Sequence, residues 1–420
     1  KERNNLHFID KVILFYLIFE IFFLRWLVYE SYFKYFSPLL VLIIIVRKKH
    51  IFRVKPLDLF LGMFYLMVVI LNLLNNGIKP RFISNFYILG LANLIIIIYI
   101  LILNYENENG LRNFVLKELF IIFNSYFIIN IPIIIKQLNR TYFLMRNIEN
   151  NPMYEDHITG LIGASGTHEL TFYWSLLILI NIYKYFKSRK KSILLMSFIE
   201  VIFMINISAQ NDNTAFFIIF FVIILQYLFI TTFRNKVKII NIIKLLLVLT
   251  CILSIAQYFY NNNPIVYDFI NRRVVVKMEQ YGILESSNSS AARDEERIAL
   301  FKVALEQGDG YGFGKGIGSI ISYGDPSLPK HFGMSEISFR TYEGGLIYLL
   351  SIILILTHFL NRIFIKKGRL SCIMSFILIG VNITFMCIYT NIYRKPFFAL
   401  SLGLIIFIYK QQNNDEKYIR

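Results

Sequence analysis

Charged side chains are scarce in this sequence. Asp, Glu, Lys and Arg together supply 17% of it, against 56% hydrophobic and 16% aromatic residues, and the mean hydropathy is +0.56. This excludes an ordinary soluble globular domain, in which roughly a quarter of residues are charged. Cysteine is nearly missing as well. Cys251, Cys372 and Cys387 all fall within long apolar runs, which excludes an outer-face disulfide framework or a thiolate metal centre. No glycine run ends in Gly-Lys-Ser/Thr, so there is no phosphate loop for a nucleotide. No basic soluble domain stands apart from the apolar runs, which excludes a nucleic-acid partner.

What is present in abundance is apolar sequence in lengths that suit a bilayer. A spanning helix needs about 20 mostly apolar residues, and by that criterion the chain holds about twelve. They lie near 12–29, 33–46, 58–74, 84–103, 118–135, 169–185, 192–208, 213–231, 241–258, 343–361, 370–390 and 396–410. The expectation is an all-α integral membrane protein. The first apolar run carries Glu20 and Arg25 and lacks a small-residue cleavage site, so it is expected to remain as a helix and not to act as a cleaved signal.

Lys and Arg are retained in short cytoplasmic loops. Alternate connections here hold Arg47-Lys48-Lys49 with Arg53 and Lys55, then Lys184 to Lys191, then Arg234, Lys236 and Lys238, then Arg362, Lys366, Lys367 and Arg369. Both termini are therefore expected in the cytoplasm. The net charge of +17 then reports topology and contact with anionic lipid heads.

One long polar segment interrupts this pattern and divides the chain into an N-terminal bundle, 1–257, a large outer loop, 258–342, and C-terminal spans with a tail, 343–420. At roughly eighty residues the loop far exceeds a connection and is expected to be a site in its own right. Within it Arg293 to Gln307 reads as a helix, with Ile298, Phe301 and Leu305 on one face. Arg293 and Arg297, one turn apart, would point the same way at headgroup depth. The run Gly308-Asp-Gly-Tyr-Gly-Phe-Gly-Lys-Gly-Ile-Gly318 follows, and glycine there permits turns and close backbone approach. Next come His331, then Glu336 and Arg340, spaced for a helical ion pair, and Glu343-Gly-Gly at the tenth span.

Other polar positions are fewer. Glu20 and Glu200 sit inside apolar runs, where an ionisable group is costly; each is either a functional group or one satisfied within the bundle. A second outer loop, Lys136 to Thr167, contains His157-Ile-Thr-Gly-Leu-Ile-Gly-Ala-Ser-Gly-Thr-His168. Its histidines read as ordinary hydrogen-bonding residues. The turn Ser208-Ala-Gln-Asn-Asp-Asn-Thr214 ends the seventh span, and Gln210 and Asn211 there are sugar-contact candidates beside a plain turn-forming role.

Three stretches together resemble the O-antigen ligase and polymerase family of membrane glycosyltransferases. They are Ile158-Thr-Gly-Leu-Ile-Gly-Ala-Ser-Gly166, then Arg297-Ile-Ala-Leu-Phe301 followed by Gly310-Tyr-Gly-Phe-Gly-Lys-Gly316, then Glu343-Gly-Gly-Leu-Ile347. The sequence departs from the family pattern at Met334, where a His is frequent, with His331 three residues upstream. It departs again at Gln210-Asn-Asp-Asn213, where an Arg is frequent.

The resemblance implies a GT-C-like architecture in the bacterial cytoplasmic membrane and a polysaccharide polymerase that joins polyprenyl-diphosphate-linked repeat units. A flippase and a chain-length regulator would be its protein partners. Arg293, Arg297 and Arg340 are then candidates to hold the diphosphate, with Gly312, Gly314, Gln210 and Asn211 as further substrate contacts. His331, Glu336 and Glu343 are candidates for the base. No cofactor or metal is expected: the first outer loop, about Glu30 to Phe33, is too short for the paired acids that many metal-dependent membrane glycosyltransferases carry there, and no Asp-x-Asp occurs. A ligase of the same family is the close alternative. A flippase or other secondary transporter, using Glu20 and Glu200 as coupling groups, is the distant one.

Overall fold

A computed structural model of the chain describes residues 5–24, 33–48, 56–83, 93–140, 143–144, 158–163, 167–211, 213, 216–217, 220–221, scattered positions between 240 and 271, 297–320, 335–364 and 398–408. Every regular element among the described residues is helical. In chain order these are α1 (Phe8–Phe19), α2 (Phe33–Lys48), α3 (Pro56–Asn76), α4 (Asn93–Glu106), α5 (Glu108–Asn139), α6 (Thr167–Ser188), α7 (Lys191–Gln210), α8 (Arg297–Glu306), α9 (Glu336–Phe364) and α10 (Phe398–Ile408). π-helical turns extend α1 over Glu20–Leu24 and interrupt α5 at Phe114–Leu119.

Four of these helices are long and apolar enough to cross a membrane: α3, α5, α7 and the Glu336–His358 part of α9. Their residue distribution is inverted relative to a soluble protein. On α3, Leu57, Phe60, Met63, Met67, Ile70 and Leu74 are exposed while Asn72 is buried. On α7, Leu194, Leu195, Phe198, Ile199 and Ile202 are exposed while Glu200 is buried. Water would not tolerate apolar faces of that extent, whereas hydrocarbon demands that polar groups turn inward.

The chain forms two compact units. Unit 1 comprises Lys1–Phe52, Ile88–Phe220 and Tyr393–Arg420; unit 2 comprises Arg53–Tyr87 and Phe221–Ile392.

In unit 1, α6 is the central helix, with every residue from Glu169 to Asn181 buried, as expected of a helix apolar on all sides. Around it Phe22, Phe123, Tyr126 and Tyr173 form an aromatic cluster; Phe22 and Tyr126 have ring centroids 4.3 Å apart, and Tyr126 and Tyr173 meet edge to face at 5.4 Å. Their hydroxyls are satisfied by backbone. Tyr126 donates to the Phe22 carbonyl at 3.1 Å and Tyr173 to that of Phe123 at 2.6 Å.

One end of unit 1 gathers charges. Asp10, at the start of α1, accepts from Tyr99 at 2.7 Å and lies 3.5 Å from the Lys48 ammonium, which also pairs with Glu106. Lys11 bonds Glu118 at 3.0 Å, and Lys184 donates to the Leu116 carbonyl at 2.6 Å. The starts of α1 and α5 thus meet the ends of α2, α4 and α6, which is the alternation that antiparallel neighbours require.

In unit 2, α3 and α9 run antiparallel and are joined at both ends. Asp58 and His358 meet at 2.8 Å, and Asn72 donates to the Glu343 carbonyl at 3.2 Å. Fourteen residues separate the first pair from the second on α3 and fifteen on α9, about 21 and 22 Å of helix, so the two pairs are in register. Between them the rings of Tyr65 and Tyr348 stack at 5.8 Å, with Val68, Val69 and Ile317 completing the buried cluster.

The α8 segment is helical over its described part. Its helix is described from Arg297 to Glu306, and the fully buried side chains are Leu300 and Ala304, with Phe301 and Leu305 only half-buried. The side α8 buries is turned by the following glycines: Gly308 and Gly310 lie so close to Tyr342 and Thr341 of α9 that a Cβ would approach within 2.5 and 2.8 Å. Docking on α9 therefore selects the Leu300–Ala304 line. The helix α9 also begins seven residues before the expected span, at Glu336, with the Ser335 hydroxyl accepting from the Ser338 N–H at 3.4 Å as a cap.

Candidate functional site

The centre of unit 2 is a break in α9. Gly345 has φ +74° and ψ +174°, a backbone conformation reached essentially only by glycine. A helix interrupted in an apolar segment frees backbone groups that hydrocarbon cannot satisfy, so another part of the protein must supply partners. The glycine-rich run does so. Lys315 N–H donates to the Tyr342 carbonyl at 2.8 Å, Gly316 N–H to the Glu343 carbonyl at 2.9 Å, and Leu346 N–H to the Gly310 carbonyl at 2.8 Å. Two backbones can approach this closely only without side chains between them. At Gly314, φ +70°, a Cβ would stand 2.7 Å from the Glu343 and Gly344 backbone.

Asn72, fully buried on α3, joins the two pieces. Its Oδ1 accepts from Ile317 N–H at 2.9 Å, while its Nδ2 donates to the Phe313 carbonyl at 2.5 Å and to that of Glu343 at 3.2 Å. Asn76 adds a longer bond to Phe313 at 3.5 Å.

Inside this frame lies a buried charge cluster. Arg340 is 1% exposed, and Glu336 and Glu343 are wholly buried. Arg340 Nε donates to Glu336 Oε1 at 2.8 Å, and its Nη1 stands 3.8 Å from Glu343 Oε2. The other Glu343 oxygen, Oε1, accepts from Gly318 N–H at 2.9 Å. A guanidinium keeps its charge in any environment, so burying it requires carboxylate counter-ions held in good geometry. Their i, i+4 and i, i+3 spacing on the first turns of α9 supplies that geometry.

Of the residues singled out from sequence, Glu336, Arg340, Glu343, Gly312 and Gly314 come together here. The Gly312 carbonyl faces Gly345, and Gly314 faces the Glu343 backbone, so both glycines serve close approach of the loop to α9. Arg297 is the first residue of α8, and only its backbone is described. Arg293, His331 and His157 lie outside the described residues, and His168 is described as backbone on α6.

Gln210 and Asn211 belong to unit 1. Gln210 is exposed and donates to Asn206 on its own helix at 2.6 Å. Asn211 is wholly buried and donates to the Ile158 carbonyl at 3.0 Å. The motif it meets is held from α5: Gln137 Oε1 accepts from Thr159 and Gly160 N–H at 3.1 and 2.8 Å, and Asn130 Oδ1 accepts from Leu161 N–H at 2.7 Å. Gly160, φ +67°, leaves room for Asn130, whose oxygen would otherwise stand 2.1 Å from a Cβ.

Glu200 is satisfied within the bundle. Asn181 donates to its Oε2 at 2.7 Å and is itself paired with Asn124 at 3.0 Å, a ladder across α5, α6 and α7. Glu20 is buried with Tyr16, one turn earlier, beside it.

Asn72 and this asparagine ladder were readable as polar residues inside apolar runs, the same signal that marks Glu20 and Glu200. Their partners were not. Among the described residues no three His, Cys, Asp or Glu side chains converge as a metal-binding group.

The fold and site define an all-helical protein with helices suited to a membrane and a buried Arg-Glu cluster at the broken start of one of them. Comparison with protein-family models, with curated proteins and with solved structures finds no match.

Proposed function

We propose that this chain is a polysaccharide polymerase of the bacterial cytoplasmic membrane, joining polyprenyl-diphosphate-linked oligosaccharide repeats at the outer face. In this reading about twelve helices span the bilayer in a GT-C-like arrangement, with both termini in the cytoplasm. The observation that carries it is the cluster at the α9 break: Arg340 buried between Glu336 and Glu343, with the glycine-rich run bonded against them. The glycine half of the second family-like stretch, Gly310–Gly316, is thereby bonded to the third, Glu343–Ile347. Irregular backbone and buried charge at the mouth of an apolar helix are features of substrate sites in membrane proteins.

The reaction would pass the growing chain from its lipid diphosphate to a hydroxyl of the incoming repeat. The acceptor oxygen forms a bond to the anomeric carbon, the bond from that carbon to the phosphate oxygen breaks, and the diphosphate leaves with the electron pair. A base, Glu343, Glu336 or His331, takes the hydroxyl proton. Arginines, with Arg293, Arg297 and Arg340 as candidates, stabilise the charge on the leaving group.

Purified protein supplied with the matching lipid-linked repeat as sole substrate tests this. A polymerase makes a ladder of increasing length without a second acceptor, whereas a ligase makes none. Absence of a ladder, with a competent polymerase run alongside on its own repeat, overturns the reading.

A further inference from the structure

We infer that Asn72 is a positioning residue of this site, setting the Glu343 carboxylate by clamping the glycine-rich run to the α9 break. The inference rests on the polymerase reading for what Glu343 does, and on geometry alone for the clamp.

Asn72 stands in the apolar stretch Leu71-Asn72-Leu73-Leu74 and is wholly buried. An amide there is costly unless both its ends are used. Both are: the oxygen holds Ile317, and the nitrogen holds Phe313 and Glu343. Those three positions are the two ends of the tight segment 313–317 and the residue whose side chain accepts from Gly318. A shift of that segment therefore moves the N–H that orients Glu343 Oε1. No neighbouring residue type reproduces the arrangement. Leu matches the volume and makes none of the bonds, Asp keeps the acceptor but loses both donors, and Gln is one methylene too long.

The helix pair beneath the clamp is held by other means, the Tyr65–Tyr348 stack and the Asp58–His358 pair. Loss of the amide should consequently loosen 313–318 and leave α3 against α9. That separates a positioning role from a general structural one.

The test uses the full chain in lipid nanodiscs, comparing wild type, Asn72→Asp, Asn72→Leu and, as an exposed neighbour on the same helix, Asn75→Ala. Hydrogen exchange of the peptide covering 313–318 is read beside polymer synthesis from the lipid-linked repeat. The expected result is exchange faster on the order of tenfold in both Asn72 variants, with kcat lowered to a similar degree, KM within about twofold and the melting midpoint close to wild type. Asn75→Ala should match wild type throughout. Asn72→Ser, a smaller change with one donor and one acceptor, replaces either variant that does not fold.

Unchanged exchange at 313–318 overturns the clamp whatever the activity shows. Faster exchange with a raised KM and unaltered kcat overturns the positioning role. Faster exchange in a chain whose wild type makes no polymer overturns the polymerase reading and leaves the clamp standing.

Discussion

Gly345 lies against the carbonyl of Gly312 so closely that a Cβ at Gly345 would stand 2.1 Å from that oxygen. The contact joins the break in α9 to the glycine-rich run. Gly345→Ala must both leave φ +74° and displace the loop. Its expected cost is on the order of 3 kcal/mol, measured as a fall in the melting midpoint of detergent-purified protein. Gly62, with open space around its Cβ position, is the control, and Gly62→Ala should be neutral or slightly stabilising. Equal midpoints for the two variants would show that the close approach is not present.

Arg340 offers a second test because its two substitutions fail differently. Arg340→Ala leaves Glu336 and Glu343 buried without their cation, which costs about 3–5 kcal/mol. Arg340→Lys keeps the charge but has no Nε donor and no planar fork. We expect Arg340→Lys to retain folded protein and to lose polymer synthesis by two orders of magnitude or more, roughly the cost of one misplaced stabilising group. Activity near wild type in Arg340→Lys would exclude a specific role for the guanidinium.

Glu200 discriminates between enzyme and transporter. Glu200→Gln preserves a hydrogen-bonding oxygen for Asn181, so the ladder through Asn124 can persist. Stability should change by about 1 kcal/mol or less, and the polymer ladder should be indistinguishable from wild type. Lipid-linked oligosaccharide movement that is abolished by Glu200→Gln and untouched by Arg340→Lys would instead support a coupled transporter.

The loop 158–163 should depend on one side chain of α5. Gln137→Ala removes acceptors for Thr159 and Gly160 N–H and a donor to the Gly160 carbonyl at 3.3 Å. Buried groups left without partners cost about 1–3 kcal/mol. The expected signature is faster hydrogen exchange confined to 158–163, with α6 and α7 protected as before. Uniform destabilisation of unit 1 would contradict it.

Much of the helical plan was legible because bilayer thickness imposes a length on apolar runs, and 58–74, 118–135 and 192–208 each lie within a single observed helix. Helix ends were less legible. The start of α9 at Glu336 is set by the Ser335 cap and by the loop bonded along it, not by hydropathy. The Glu336–Arg340 pair was visible from its spacing, yet Glu343 as a third member depends on where the Gly318 N–H arrives from twenty-five residues away. On α8 periodicity marks the apolar positions, and docking on α9 buries Leu300 and Ala304 most deeply among them.

The length of its apolar runs determined by itself that the described segments are helices with apolar outer faces, since about 20 apolar residues in a row match one spanning helix and exceed the strand of a membrane barrel. It determined too that the polar residues within those helices must face one another. Which of them meet was decided by tertiary structure. Asn72 reaches Phe313, Ile317 and Glu343 across more than two hundred residues of sequence, because a broken helix and a glycine-rich run leave carbonyls and N–H groups that one buried amide can bridge. Local sequence carries no trace of such a pairing, since each hydrogen-bond requirement arises only when the other partner has arrived.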